Sequence, residues 1–199
     1  MDLMTGYNFN LEEDRNKAWE KIKKDKPKLL IGSPECRMFS ALQILSKWNE
    51  KKQRDLQEAQ RYLTFMCEIY DYQIGQGRLF LHEHPVGASS WREAVVQKMM
   101  KGQSVETTVA DQCMFGLKTW GSPRAQLVLA KKPTRFMTNS RSIGNELRRK
   151  CDGSHSHQPL VDGRAKDAAR YPPAPCRAIC RGISKEKMQR QFGIRAVME

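Results

Sequence analysis

Short apolar runs that alternate with stretches of helical spacing constrain the fold of this chain more than any other feature. The runs lie at 28–31 (KLLI), 78–85 (RLFLHEHP) and 104–113 (SVETTVADQC). Between them, apolar residues recur at helical spacing over 50–74, and 91–101 is predicted to be another helix. Strand, helix, strand, helix, strand is the order of βαβ units. We therefore predict an α/β fold with a Rossmann-like, mainly parallel sheet flanked by helices.

The remaining elements are predicted one by one. Residues 11–26 should form a helix, because acidic residues come first and basic residues last, as the helix dipole favours. Residues 117–133 are predicted to be a loop, and 134–139 a further strand. Beyond 150 the sequence is dominated by Gly, Pro, His and basic residues, and a short helix is expected near 175–182.

Charge divides the chain into a predicted α/β domain at 1–140 and a basic extension at 141–199. The whole chain has a net charge of +13, and the extension holds 13 Lys and Arg against 6 Asp and Glu. Clustered Lys and Arg gain free energy by releasing counterions from phosphates, so this surplus favours a nucleic-acid partner. A solvated basic surface is the alternative.

The sequence gives no sign of a membrane or secreted protein. Its apolar runs are far shorter than the about 20 residues that a membrane helix needs, and the first ten residues lack the features of a signal peptide. The six cysteines lack the spacing of a secreted disulfide framework. We expect reduced thiols, an intracellular location in the nucleus or cytoplasm, and no membrane partner.

The candidate chemistry begins at Cys36, which follows the first predicted strand in the loop Gly-Ser-Pro-Glu-Cys. Ligands of parallel sheets bind beyond the carboxyl ends of the strands, so Cys36 and Glu83 should come to the same edge. A thiol beside a carboxyl group pairs a nucleophile with a proton donor or acceptor. Arg37, His82 or His84 could lower the pKa of the thiol. The alternative is a buried, inert thiol and a structural carboxylate.

The segment LLIGSPECRMFSALQ (29–43) resembles the catalytic loop of the DNA cytosine-5 methyltransferases, a hydrophobic strand followed by G-G-P-P-C-Q-P-F-S. The shared positions are Gly32, Pro34, Cys36, Phe39 and Ser40. That family's E-N-V strand end is similar to 83–86, with Glu83 in place of the acid and His84 where Asn is usual. Phe115-Gly116-Leu117 is similar to the family's Tyr-Gly-Val.

The resemblance implies a mechanism. Cys36 would add to C6 of a cytosine flipped out of the duplex, Glu83 would hold or protonate N3, and S-adenosylmethionine would donate a methyl group to C5. Arg135 would stand for one arginine of the family's Q-x-R-x-R motif. The residues implied in cofactor binding are Asp2, Asn8, Asn10, Gly32 and Pro34.

Three departures from the family pattern bear on activity, one of which is that the chain has little room for a separate target-recognition domain. The family's opening strand and F-x-G-x-G turn have no counterpart, which implies an N-terminally truncated relative, such as a fragment carried by a mobile element. Glu35 replaces the second proline and would raise the pKa of Cys36. The S-P-x-C loop also resembles the S-P-P-Y loop of the amino-methylating DNA enzymes, which need no cysteine; Phe39-Ser40 favours the C5 enzymes. Nucleic-acid contacts are predicted from Arg37, Trp120, Lys131, Lys132, Arg148, Arg149 and Lys150.

A second cluster of chemically capable residues follows at Cys151, His155 and His157. Thiol and imidazole groups this close suit zinc, and Cys176, followed by Cys180, or else Cys113, could complete four ligands. Alternatively, the two histidines contact phosphates, or they belong to a plain polar loop. Three functions therefore remain open: a DNA cytosine-5 methyltransferase, a non-catalytic nucleic-acid-binding module, and a zinc-stabilised interaction domain.

Overall fold

The computed structural model describes residues 1, 5–45, 47–121, 126–161, 163–168 and 170–192. The chain divides into two compact units, Met1–Val105 and Glu106–Glu199. The predicted division at residue 140 differs from this, because residues 106–140 group with the basic extension. The predicted cofactor residue Asp2 lies outside the described residues.

Besides short 3-10 helices, the first unit contains three α-helices and two strands among its described residues: α1 (Glu12–Asp25), β1 (Leu29–Gly32), α2 (Glu50–Gly75), β2 (Leu79–Pro85) and α3 (Ala94–Met100). Each corresponds to a predicted element. Helix α2 begins where the Asn49 side chain accepts a hydrogen bond from the Lys52 backbone N–H, which satisfies one of the free amides of the first turn. These elements confirm that the chain combines α-helices and β-strands.

Strands β1 and β2 are parallel, with Leu29 opposite Leu79 and Gly32 opposite His82. Strand β2 is buried from Leu79 to His84, as expected for a strand covered on both faces. One cover is helix α2, whose Tyr70 ring stacks on Phe80 at a centroid distance of 4.7 Å. The carboxyl ends of both strands therefore reach the same edge.

The second unit contains the other described elements: β3 (Glu106–Asp111), β4 (Lys118–Trp120), β5 (Leu127–Leu129), β6 (Pro133–Thr138), α4 (Arg141–Leu147), α5 (Arg164–Asp167) and α6 (Pro173–Phe192). Its strand pairs, β3–β6 and β4–β5, are both antiparallel. Because β1–β2 is the parallel one of these three pairs, pairing is mostly antiparallel rather than mainly parallel. The predicted loop at 117–133 contains two short strands, and the last helix is longer than predicted.

Helices α4 and α6 pack closely in the second unit. A Cβ atom added to Gly182 would lie 2.6 Å from the Ile143 Cα atom, so glycine permits this approach. The Glu146 carboxylate on α4 accepts hydrogen bonds from Arg181 at 2.8 Å and Lys185 at 2.6 Å. Opposite charges thus flank the close contact.

None of the described helices is both long and apolar enough to cross a membrane. All six cysteines lie within the described residues, and none is joined to another by a disulfide.

Candidate active site and Cys/His cluster

The register of β1 and β2 carries on into the loop that holds Cys36. The Ser33 hydroxyl donates a hydrogen bond to Glu83 Oε2 at 2.6 Å. One residue further, His84 Nε2 lies 2.9 Å from the Pro34 carbonyl oxygen. Since a carbonyl can only accept, His84 Nε2 carries the proton and donates it. Two side-chain contacts therefore fix the Cys36 loop to the end of β2.

Glu83 is a buried carboxyl group with one oxygen engaged. Its side chain is almost inaccessible, at 5% exposure. Oε2 accepts from Ser33, whereas Oε1 has no hydrogen-bond partner among the described residues. Burying a polar atom without a partner costs about 1–3 kcal/mol, and more for a charged group. Such a group is a candidate for binding a donor on a ligand.

His82 and His84 have different environments, although only one residue separates them. His82 is buried, and its Nδ1 lies 3.0 Å from the Tyr70 hydroxyl. Burial, followed by the neighbouring His84, holds the pKa of His82 well below its usual range. A neutral His82 supplies no positive charge to Cys36, contrary to what the sequence suggested. His84 instead has Ser90 Oγ 2.6 Å from its Nδ1 and serves as an anchor for the loop.

Gly32, predicted to contact a cofactor, has a packing role in the structure. A Cβ atom at this position would collide with the Tyr70 hydroxyl and the Met66 Cε atom. Glycine at position 32 therefore leaves room for the ends of these two side chains of helix α2. This close approach accounts for Gly32 without a cofactor.

Cys36 lies immediately before a short 3-10 helix, Arg37–Phe39, and its side chain is half-buried. The Phe39 amide donates to the Cys36 carbonyl at 3.0 Å, and the Phe39 ring is buried beneath the loop. Arg37 forms an exposed ion pair with Glu35 at 3.1 Å. The two neighbouring charges therefore largely offset one another beside the thiol.

The segment with Asn8 and Asn10 lines a small cavity of about 130 Å³ that Glu35, Arg37 and Tyr62 also line. Phe9 anchors the segment, with its ring centroid 5.2 Å from that of Tyr62. Asn8 Oδ1 accepts from the Asn10 amide at 3.1 Å, whereas the buried Asn10 Oδ1 has no partner among the described residues. The cavity is smaller than the roughly 300–1,000 Å³ typical of whole small-molecule sites.

The predicted residues of the second unit are more dispersed. Arg135 lies on β6 opposite Val109, and Trp120, 42% exposed, ends β4. Most of the predicted phosphate-binding side chains already have protein partners. Lys131 lies 3.9 Å from Asp111, Lys132 lies over the Tyr171 ring, Arg148 donates to Thr108, and Arg149 lies over the Phe115 ring, whereas Lys150 is exposed.

The second unit brings four potential metal ligands together: Cys113, Cys151, His155 and His157. One ligand atom from each lies within 4.8 Å of all the others. Cys151 Sγ is 3.6 Å from His155 Nε2 and 3.4 Å from His157 Nε2. Cys176, the first of the two fourth ligands predicted from the sequence, lies exposed on α6 and is not in this cluster; the fourth member is the alternative, Cys113. The cluster could hold a metal ion.

Backbone contacts place the cluster at the end of β3. Cys113 lies in the 3-10 turn Gln112–Phe115, which Gly116 ends in a left-handed conformation at φ 79°. The Cys151 amide donates to Asp111 Oδ2 at 2.9 Å, and the Asp111 amide donates to the Arg149 carbonyl at 2.8 Å. These two bonds hold the chain around residue 151 against the turn that carries Cys113.

One of the two thiols of the cluster, Cys113, is buried. Burial, and then the neighbouring Cys151, raise the pKa of Cys113 to about 11. A protonated, buried thiol is a weak nucleophile. The arrangement of soft and borderline donor atoms is instead that of a metal-ligand set.

Comparisons of the chain with protein-family models, curated proteins and solved structures give no significant match. The resemblance to cytosine-5 methyltransferases therefore depends on the residues quoted for it. The structure adds three residues to which the sequence analysis gave no such role: Ser33 and His84 as supports of the Cys36 loop, and Asp111 as a support of the Cys/His cluster. Short polar residues at loop and strand ends occur in most proteins, so only the pairing register could have indicated the first two.

Proposed function

We propose that the edge formed by β1 and β2 is a DNA cytosine-5 methyltransferase-like site, in which Cys36 attacks a flipped cytosine. The observation that carries this proposal is Glu83, a buried carboxyl group tied to the Cys36 loop through Ser33, with Oε1 unengaged among the described residues. A nucleophile and an acid on one edge are what addition to a pyrimidine ring requires.

In the proposed reaction, the Cys36 thiolate forms a bond to C6 of the base. The C5–C6 double-bond electrons move towards C5, while the Glu83 carboxyl group, acting as the acid, gives a proton to N3 and so neutralises the developing charge. S-adenosylmethionine, when bound, supplies the methyl group that C5 acquires. C5 then loses its hydrogen as a proton to a base, the C5–C6 double bond forms again, Cys36 leaves as thiolate, and N3 returns its proton to Glu83.

Ser33 and His84 act as positioning residues in this proposal. The Ser33 hydroxyl occupies Glu83 Oε2 at 2.6 Å, which leaves Oε1 for the base. His84 donates to the Pro34 carbonyl and so limits movement of the loop. Both contacts reduce the entropy that would otherwise be lost when the base binds.

The adenine end of S-adenosylmethionine fits the cavity beside Asn8 and Asn10 better than the whole cofactor does. Asn10 Oδ1 is an unengaged acceptor among the described residues, and the exocyclic amine of adenine is a donor. At about 130 Å³, the cavity has room for one ring system rather than a complete cofactor. Asn8 and Asn10 would hold that ring system, and Cys36 lies on the loop whose Glu35 and Arg37 form another wall.

The experiment uses a DNA duplex that contains 5-fluorocytosine, incubated with the full chain and S-adenosylmethionine. Fluorine cannot leave C5 as a proton, so elimination is blocked and the protein stays attached to the DNA. We expect a covalent adduct on denaturing gels and by mass spectrometry, its loss in Cys36→Ala, and its retention in Cys176→Ser, a matched change at an exposed thiol. Glu83→Gln should form less adduct than the wild type.

A second measurement separates base attack from methyl transfer. Addition at C6 makes the C5 hydrogen exchangeable, so wild-type protein should release tritium from [5-³H]cytosine DNA even without S-adenosylmethionine. A wild-type chain that yields neither adduct nor exchange would overturn the catalytic proposal. Salt-dependent DNA binding by that inactive chain would then favour the non-catalytic binding module, which the net charge of +13 also supports.

A further inference from the structure

We infer that Cys113, Cys151, His155 and His157 form a closed, structural zinc site in the second unit, independent of the proposed methyltransferase function. The inference starts from geometry. A tetrahedral zinc ion with Zn–S of about 2.3 Å and Zn–N of about 2.0–2.1 Å places sulfur and nitrogen ligands about 3.5 Å apart. Cys151 Sγ lies 3.4 and 3.6 Å from the two histidine Nε2 atoms, which matches that spacing.

The hydrogen bonds around His155 orient its ring for metal binding. The Ser154 hydroxyl donates to Asp152 Oδ1 at 2.7 Å, so its oxygen is left to accept from His155 Nδ1 at 3.4 Å. A proton on Nδ1 leaves Nε2 unprotonated, and Nε2 is the atom that faces Cys151. Metal-binding histidines commonly donate their second ring N–H to such a partner, which fixes the tautomer.

The surroundings of Cys151 favour a thiolate bound to a cation. The Gly153 backbone amide points at Cys151 Sγ from 3.4 Å, in a turn where Gly153 has a φ of 78°. The amide of Cys151 itself is held by Asp111 Oδ2. Two cysteine thiolates and two neutral imidazoles around Zn²⁺ give a site with no net charge, and metal binding releases the two thiol protons.

Four protein ligands make the site structural rather than catalytic. A catalytic zinc keeps a position for water or substrate, whereas two cysteines and two histidines fill a tetrahedral shell. The donor set also excludes the harder ions, since Mg²⁺ and Ca²⁺ bind oxygen ligands.

A zinc ion at this site would help to order an irregular segment of the second unit. Residues 148–161, which carry three of the ligands, contain no helix or strand. Among the described residues, one core cluster of this unit consists of Leu117, Ala130 and Ala168, and two of these are alanines. A long irregular segment gains order when a metal ion joins it to the turn that carries Cys113.

The experiment measures zinc in the full chain after purification without chelators, and again after refolding with equimolar zinc. We expect about one zinc per chain in the wild type. Cys113→Ser, Cys151→Ser and His157→Ala should retain no more zinc than a chelator-treated sample. Cys176→Ser and Cys180→Ser, which change exposed thiols outside the cluster, should retain it fully.

Replacing one zinc ligand by another residue that also binds zinc tests the inference even if the variants that remove a ligand fail to fold. His157→Cys should bind zinc again, because three cysteines and one histidine also form a structural zinc site. With cobalt in place of zinc, His157→Cys should show a stronger thiolate-to-metal charge-transfer band than the wild type. A wild type that stays free of zinc after refolding with the metal would overturn the inference, as would retention of zinc by Cys113→Ser together with its loss from Cys176→Ser.

Discussion

The two histidines of β2 show how one residue of separation decides the role of an imidazole. Both side chains are buried, yet they contact different elements. His84 joins the Cys36 loop to the 3-10 turn that contains Ser90, and both of its ring nitrogens are engaged. His82 contacts Tyr70 through Nδ1, while its Nε2 has no hydrogen-bond partner among the described residues. Burial therefore disfavours protonation of His82 in the folded chain.

We predict that folding stability falls as the pH drops below about 6.5, and that His82 contributes to the fall. The unfolded chain binds a proton at His82 near its ordinary pKa of 6.5, whereas burial keeps the folded pKa well below that value. The folded state thus loses stability by up to about 1.4 kcal/mol per pH unit for this one group. Urea unfolding at pH 8 and pH 5 measures the effect.

His82→Gln serves as the comparison, since glutamine does not titrate. The difference in unfolding free energy between the two pH values should be smaller in His82→Gln than in the wild type. Equal falls in both proteins would contradict a buried, neutral His82.

The sequence identified Cys36 and Glu83 as a pair because Cys36 follows one run that could be recognised as a strand and Glu83 lies near the carboxyl end of the next. It did not identify Ser33 as their connection, since a serine between glycine and proline is typical of any turn. Nor could it choose between Cys113 and Cys176 as the fourth cluster ligand. That choice depends on how a turn after β3 meets a segment about 40 residues later, and local spacing contains no information on such a meeting.

At the scale of the elements, one glycine in the contact between α4 and α6 has two opposing effects on stability. Glycine within a helix costs roughly 0.5–1 kcal/mol relative to alanine. In this structure, however, Gly182 faces the Ile143 backbone, and a Cβ atom would lie 2.6 Å from Ile143 Cα. Backbone atoms cannot rotate away as a side chain can, so the steric effect should dominate.

We predict that Gly182→Ala lowers the free energy of unfolding, by about 0.5–2 kcal/mol once the helix propensity of alanine is subtracted from the overpacking cost. Chemical denaturation measures the change. Ser184→Ala, an exposed change on the same helix, should stay within about 0.5 kcal/mol of the wild type. A Gly182→Ala variant as stable as Ser184→Ala would show that the helices can separate at no cost.

At the scale of the elements, the sequence was sufficient to predict where most helices and strands lie. It was not sufficient to predict the direction in which the strands pair. Apolar runs at 28–31, 78–85 and 104–113 correspond to β1, β2 and β3. The rhythm of alternating helices suggested parallel pairing throughout, yet β3 pairs with β6 in the antiparallel sense. Direction depends on which strands become neighbours, and composition does not record this.

At the scale of the whole molecule, the net charge of +13 favours the binding of a polyanion. The structure distinguishes basic side chains that are engaged from those that are exposed. Lys132 lies over the Tyr171 ring and near the Ala168 carbonyl, whereas Lys150 is exposed. A phosphate should therefore recruit Lys150 more readily than Lys132.

We predict that duplex DNA binding weakens steeply with salt, and that Lys150→Gln makes the slope of log K against log salt shallower by about 0.9. Lys132→Gln, matched in chemistry, should leave the slope almost unchanged. Fluorescence anisotropy over a range of salt concentrations measures both. Binding that is independent of salt, or an equal effect of the two variants, would contradict this division of the basic residues.

The matched register of β1 and β2 also limits how a gene for this chain can change in length. The Ser33 hydroxyl is hydrogen-bonded to Glu83 and the Pro34 carbonyl to His84, so successive residues of the two segments contact one another in register. A codon inserted into either strand would turn every following side chain to the opposite face and separate Glu83 from the Cys36 loop. A codon inserted into the turn at Gln76-Gly77 would leave both strands intact. Insertions and deletions should therefore be tolerated in this turn and eliminated within the two strands.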